Sequence, residues 1–285
     1  MLRALPLAAL VLCALPAAAA AQGQWRATRL PDDTPVGGAT LESEAAILET
    51  TFETVTAHLA PTERAGLREV TRAELARQRT RHPDGLPSLL ARSHAMAQGP
   101  GGFDAFVVEP EGDTDLAAVF LHGYGGNALL PCAVVAEAAE RAGAMTVCPS
   151  LGPTGHWQSA AGARVLAATL DWLTRVRGIR RVVLVGLSNG AIGASRLLPR
   201  FERRLAGVVL ISGAAHGTRT SLPALLIHGD ADTMTSPRAA RAFARRSPNA
   251  TLRIVPGNHF VLLHRRETLV TEMSDWMRDV LHDEP

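Results

Sequence analysis

From residue 103 onward the chain alternates short apolar runs with helix-length stretches, and that alternation leaves few folds open. The apolar runs fall at 103–109, 116–121, 145–148, 182–185, 208–211, 224–227 and 252–255. Helix-length segments lie between them, near 131–142, 160–176, 190–204, 236–246 and 264–281. Strand following helix in this way predicts βαβ units, hence an α/β domain whose sheet is mainly parallel with helices on both faces. The run Val182, Val183, Leu184, Val185 shows no polar alternation, as a strand covered on both faces requires. The chain's 285 residues suffice for one such domain with a large buried core.

The N-terminal third reads differently. Met1, Leu2 and Arg3 precede an apolar stretch at 4–16 and a string of alanines at 17–21, the pattern of a secretory signal over residues 1–21. The apolar stretch is short of the roughly 20 residues a membrane span needs. The expected product is an exported protein, periplasmic or secreted, with no stable membrane insertion after signal cleavage. Residues 22–38 hold Pro31, Pro35, Gly37 and Gly38 among polar residues and read as a linker. Leu41, Ala45, Leu48, Phe52, Val55 and Leu59 then recur at spacings of three and four, marking an amphipathic helix. A second helix starts with Pro61 at its first position. Residues 22–85 therefore form a lead-in and helical extension, and 86–285 a catalytic domain. The extension is read as an edge-packing arm; covering the site and forming a dimer contact are its alternatives. Oligomeric state stays open.

Composition removes several function classes. The formal net charge is +2, and the basic residues, all arginine, are spread thinly along the chain. No basic stripe or aromatic-basic interleaving points to nucleic acid. There is no zinc-ligand spacing, P-loop or dinucleotide fingerprint, so neither metal nor cofactor is expected. Past the signal, Cys132 and Cys148 remain. In an oxidising compartment they read as a disulfide or as two small buried thiols, and the sequence leaves both open.

Four segments carry chemistry, each placed just after an apolar run. Gly186-Leu187-Ser188-Asn189-Gly190 fits a nucleophilic serine on a tight strand-to-helix turn, with small residues two positions either side letting the backbone close. His122-Gly123-Tyr124-Gly125-Gly126 offers a flexible loop whose amide can meet a developing oxyanion; Tyr124 and Asn189 are the expected donors. His122 itself reads as structural. His228-Gly229-Asp230-Ala231-Asp232 supplies an acid to orient an imidazole, with Asp232 preferred and Asp230 tying the turn. Pro256-Gly257-Asn258-His259-Phe260 supplies the imidazole, His259, ahead of His156, His216 and His264.

Together these segments, in the chain order Ser188, Asp232, His259, resemble the α/β-hydrolase superfamily, in particular its esterase and dienelactone-hydrolase-like branches. The resemblance covers about residues 100–282. It implies the α/β-hydrolase fold and a metal-free serine mechanism through an acyl-enzyme, acting on a small-molecule ester. Only about ten residues separate Ile211 from Leu222, which leaves no room for the helical cap many members insert there. The loop 150–159 follows a strand beside the site, so His156 and Trp157 are candidate substrate contacts. The same triad also cleaves amides, and a non-catalytic binding protein of this fold is the alternative from another class.

Overall fold

The computed structural model describes residues 23–37, 39–95, 98–99 and 101–282, so the signal-like segment 1–21 lies outside the described residues. In chain order the elements are β1 (Gln24–Leu30), β2 (Thr34–Pro35), α1 (Leu41–Val55), α2 (Pro61–Arg81), α3 (Leu90–Ala95), β3 (Phe103–Glu109), β4 (Leu116–Leu121), α4 (Leu129–Arg141) and β5 (Met145–Pro149). There follow α5 (Ala160–Arg175), β6 (Arg181–Leu187), α6 (Asn189–Phe201), β7 (Gly207–Ile211), β8 (Ala224–Gly229), α7 (Pro237–Arg246), β9 (Ala250–Val255), α8 (Val261–His264) and α9 (Arg266–His282). The strands form one sheet in the order β2-β1-β3-β5-β4-β6-β7-β8-β9. From β5 through β9 every neighbouring pair is parallel. β1, β2 and β3 add an antiparallel edge.

All seven apolar runs are strands, and every helix-length segment after residue 103 is a helix. The expected linker at 22–38 is not one. Gln24–Leu30 pairs along its whole length with Phe103–Glu109, and the sheet begins there. The strand is hard to see in sequence because Arg26 and Arg29 interrupt it. In the fold their charges are met by Asp33 and Asp104.

Two apolar layers flank the sheet. α4 and α9 pack on one face with residues of α1 and α2. α5, α6 and α7 pack on the other. The N-terminal helices thus lie along a helical layer rather than at the sheet's edge. Polar anchors hold them there. The Glu44 carboxylate of α1 accepts hydrogen bonds from the Ser88 hydroxyl at 2.7 Å and from the Leu129 amide, in the first turn of α4, at 2.7 Å. Burial pushes Glu44 up to about 7, since these neutral donors offset only part of its desolvation. Arg266, at the start of α9, pairs with Glu74 of α2 and Glu137 of α4. Cys132 and Cys148 form a disulfide with Cα atoms 6.3 Å apart, joining α4 to β5. The connection from β7 to β8 contains no helix, so no cap is inserted there.

Candidate active site

The turn from β6 to α6 is built by exclusion. Ser188 sits at φ 55° and ψ −118°, a conformation that L-residues rarely adopt. A Cβ at Gly190 would lie 1.9 Å from the Leu121 carbonyl oxygen, and one at Gly186 would lie 2.6 Å from the Ala191 Cα. Only glycine fits either place, and the closed turn lifts the Ser188 side chain above the ends of the strands.

His259 reaches this serine from the loop after β9. Its Nε2 lies 2.9 Å from Ser188 Oγ, and its Nδ1 lies 2.8 Å from Asp232 Oδ2. With the carboxylate ionised, Nδ1–H donates to Asp232 and Nε2 accepts the serine hydroxyl. The loop is fastened on several sides. Asp230 Oδ1 accepts the Gly257 amide at 3.0 Å, and the Ser212 hydroxyl donates to the His259 carbonyl at 2.9 Å. Asn258 donates to Glu63 of α2 at 3.1 Å. Phe260 packs on the cluster of Phe52, Leu59 and Leu67. The N-terminal arm therefore braces the histidine loop.

Asp232 is held by more than the histidine. Its Oδ1 accepts the amides of Met234 and Thr235, each at 2.9 Å. The Thr235 hydroxyl is shared between the Ser212 carbonyl at 2.7 Å and Asp232 Oδ2 at 2.9 Å, and His228 Nε2 lies 3.2 Å from Oδ2. Burial by itself would raise this carboxyl. The hydrogen bonds from His228, His259 and the Thr235 amide outweigh it and hold the group well below the ordinary carboxylate range. Sequence reasoning missed Thr235, His228 and Ser212. A threonine three residues after an aspartate is a local turn signal that would have found the first. His228 stands four residues before Asp232 in the same segment, and that spacing would have found it; Ser212 acts from a separate strand end, and no local pattern marks it.

The loop after β4 lies against the serine: a Cβ at Gly123 would stand 3.1 Å from Ser188 Cβ. Three bonds fix this loop and its neighbours. Gly125 N–H donates to the Pro153 carbonyl at 2.7 Å, His94 Nε2 meets the Gly125 carbonyl at 2.7 Å, and the Asn189 side chain donates to the Thr154 carbonyl at 2.9 Å. The Tyr124 ring is 74% exposed. His122 is buried: Nδ1 bonds the Gly123 carbonyl, and Nε2 accepts the Leu151 amide. Desolvation pushes it down to about 4, so it is a neutral structural group.

The two candidate substrate contacts part company. His156 is exposed in the loop beside Asn189. Trp157 has no exposed surface, and its indole N–H donates to the His122 carbonyl at 2.9 Å. Gly193 opens the space for it, since a Cβ there would fall 2.3 Å from the Trp157 Cβ. The reading of Trp157 as a pocket wall is corrected: it is a packing residue beneath α6.

No protein-family model and no curated protein sequence matches this chain. Solved structures do. A lidless α/β serine hydrolase of Xanthomonas campestris matches with TM-score 0.53 at 22% identity, over 65% of this chain and 92% of that one. Est1E of Butyrivibrio proteoclasticus, solved with ferulic acid bound, matches with TM-score 0.55 at 15% identity, over 64% and 96%. An esterase of Pyrococcus furiosus matches with TM-score 0.52 at 16% identity, over 62% and 87%. With the strand order, the elbow at Ser188 and these neighbours in hand, the chain has the α/β-hydrolase fold.

Proposed function

We propose that the protein is a serine hydrolase that cleaves a carboxylic ester through an acyl-enzyme, with Ser188, His259 and Asp232 as its triad. The observation that carries this reading is the unbroken hydrogen-bonded line from Ser188 Oγ through the imidazole to Asp232. Ser188 Oγ attacks the ester carbonyl carbon while its proton passes to His259 Nε2. The tetrahedral oxyanion is met by the backbone N–H groups of Tyr124 and Asn189. The Asn189 amide opens α6, where an N–H has no intrahelical partner and the helix dipole favours negative charge. As the intermediate collapses, the carbon–oxygen bond to the alcohol breaks and the alcohol leaves with the His259 proton. Water then attacks the acyl-enzyme with the same histidine as base, releasing the acid and restoring Ser188. Asp232 keeps the imidazole in the working tautomer and stabilises its protonated form. His156 stands where the loop beside Asn189 can touch the substrate. The protein is taken to be exported, on the pattern of residues 1–21.

A fluorophosphonate probe tests this directly. The wild type should label, and Ser188→Ala should not. Ester turnover in Ser188→Ala should fall at least about a thousandfold. Labelling that survives the substitution removes Ser188 from the chemistry. Acyl esters of graded length run beside one peptide amide decide between ester and amide as the preferred bond.

A further inference from the structure

Arginines that are thinly spread in sequence line the exposed sides of two helices in one layer of the fold. α6 and its following turn expose Arg196, Arg200 and Arg203, at spacings of four and three. α7 exposes Arg238, Arg241 and Arg245, at spacings of three and four. These are single stripes on each helix. Both helices pack on the same face of the sheet. Their far ends are tied through Thr220, whose amide donates to Ser247 at 3.1 Å and whose hydroxyl donates to Glu202 at 2.7 Å. Neither helix contains an acidic residue. Glu202, just past α6, is engaged by Thr220 and Ser221. Asp171 is paired with Arg204 at 2.8 Å. None of the six arginines forms an ion pair among the described residues; Arg200 lies 5.3 Å over the Phe201 ring.

Helix stability explains only Arg200 and Arg245, which stand in last turns where the dipole favours a cation. Like charges three and four residues apart repel. Arg238 also stands in the first turn of α7, where the helix dipole disfavours a cation. A surface of opposite charge relieves both costs. The face is broad, since α6 alone spans about 20 Å at 1.5 Å per residue, so it suits an extended array of anions better than one small ion. The guanidinium fork matches phosphate oxygens. A single-stranded nucleic acid would need exposed rings for its bases to stack on. The large aromatics on this side, Trp172, Phe201 and Phe243, are buried. No helix among the described residues is long and apolar enough to cross a membrane, so contact with a bilayer would be peripheral.

We propose that the α6–α7 face docks the protein on the anionic phosphate headgroups of a lipid bilayer. The face abuts the candidate site without covering it. Ser188 immediately precedes α6, and Asp232 lies five residues before α7. Docking would therefore hold the serine at the rim of the lipid surface.

Co-sedimentation with vesicles tests this without reference to catalysis. Vesicles of phosphatidylcholine with phosphatidylglycerol should bind the protein at least about tenfold tighter than phosphatidylcholine alone at low salt, and release it near about 0.5 M salt. Replacing Arg196, Arg200, Arg238 and Arg241 together by Gln should cost at least about tenfold of that binding. Arg68→Gln with Arg72→Gln, on the opposite layer, should keep it. Equal binding to both vesicle types, or binding unchanged by the four substitutions, overturns the proposal. So does capture by duplex DNA with the vesicles ignored. If the fourfold variant fails to fold, Arg196→Gln with Arg241→Gln, one exposed position on each helix, carries the same test: a loss of at least about threefold is expected, and unchanged binding overturns the proposal.

Discussion

Asp232 stands in the candidate site and Glu44 in the N-terminal arm. Both are withdrawn from water, at 7% and 0% exposure, and both accept several hydrogen bonds. Yet the fold holds Asp232 below its ordinary range and lifts Glu44 to about 7. Burial weighs more heavily on Glu44 than on Asp232, and the donors differ as well. Asp232 faces two imidazoles, His228 and His259, as well as amides. Glu44 faces a serine hydroxyl and peptide N–H groups at the start of α4. The balance between desolvation and hydrogen bonds sets the outcome. Asp232 is less desolvated and accepts from two imidazoles and two amides, so its donors win, whereas the desolvation of Glu44 exceeds what a hydroxyl and two amides return.

The largest effect expected from this contrast is in turnover. Asp232→Asn should lower kcat by about ten-thousandfold, because the amide favours the wrong imidazole tautomer. Glu44→Gln, far from the reacting atoms, should stay within a few-fold. Ester hydrolysis by the two purified variants checks this, and comparable losses would erase the distinction between the two carboxylates. The next effect is in stability. Between pH 4.5 and about 7 the unfolded chain ionises residue 44 while the folded one keeps its proton. Folding therefore loses up to roughly 3 kcal/mol as pH rises through that window. Urea unfolding at stepped pH should show the slope in wild type, and Glu44→Gln should lack this contribution. Asp232 has the opposite sign: its stabilisation is complete above the unfolded value of 3.8 and fades only as pH falls below it. The smallest effect belongs to Thr235→Val, which removes the hydroxyl shared by the Ser212 carbonyl and Asp232 Oδ2. One hydrogen bond to a charged group corresponds to about tenfold in kcat. Thr235→Ser should restore the rate; a serine variant as slow as the valine one would mean the hydroxyl is not what counts.

The half that holds the candidate site was readable because its signals are local. The strands from β3 to β8 are apolar runs, β9 alternates at the edge, and Ser188, Asp232 and His259 lie within four residues of a strand end. The elbow was readable from its glycines, whose necessity the packing at Leu121 and Ala191 explains. Features decided by distant partners were not readable. β1 hides because its arginines look like surface residues until Asp33 and Asp104 arrive. Trp157 looked like a pocket wall because its seat beneath Gly193 is formed by a helix some 36 residues later. Ser212 supports His259 across a separation of 47 residues, and no spacing rule marks such a pair. The arginine face was missed for the same reason: even distribution along a chain does not show which layer of the fold its residues line.

The ion-paired knot of Glu74, Glu137 and Arg266 has a consequence for how the protein is made. A polypeptide is released N-terminus first, so the two acids emerge long before the cation that reconciles them. Until residue 266 is available, Glu74 has only Arg77 to pair with, and Glu137 only Arg81 and Arg141, so the link from α2 and α4 to the last helix is missing. The final helix is thus a latch as well as a wall, and a chain stopped short of it would keep Ser188 and its elbow but lose the ion pair that ties the last helix to α2, the helix that braces the His259 loop.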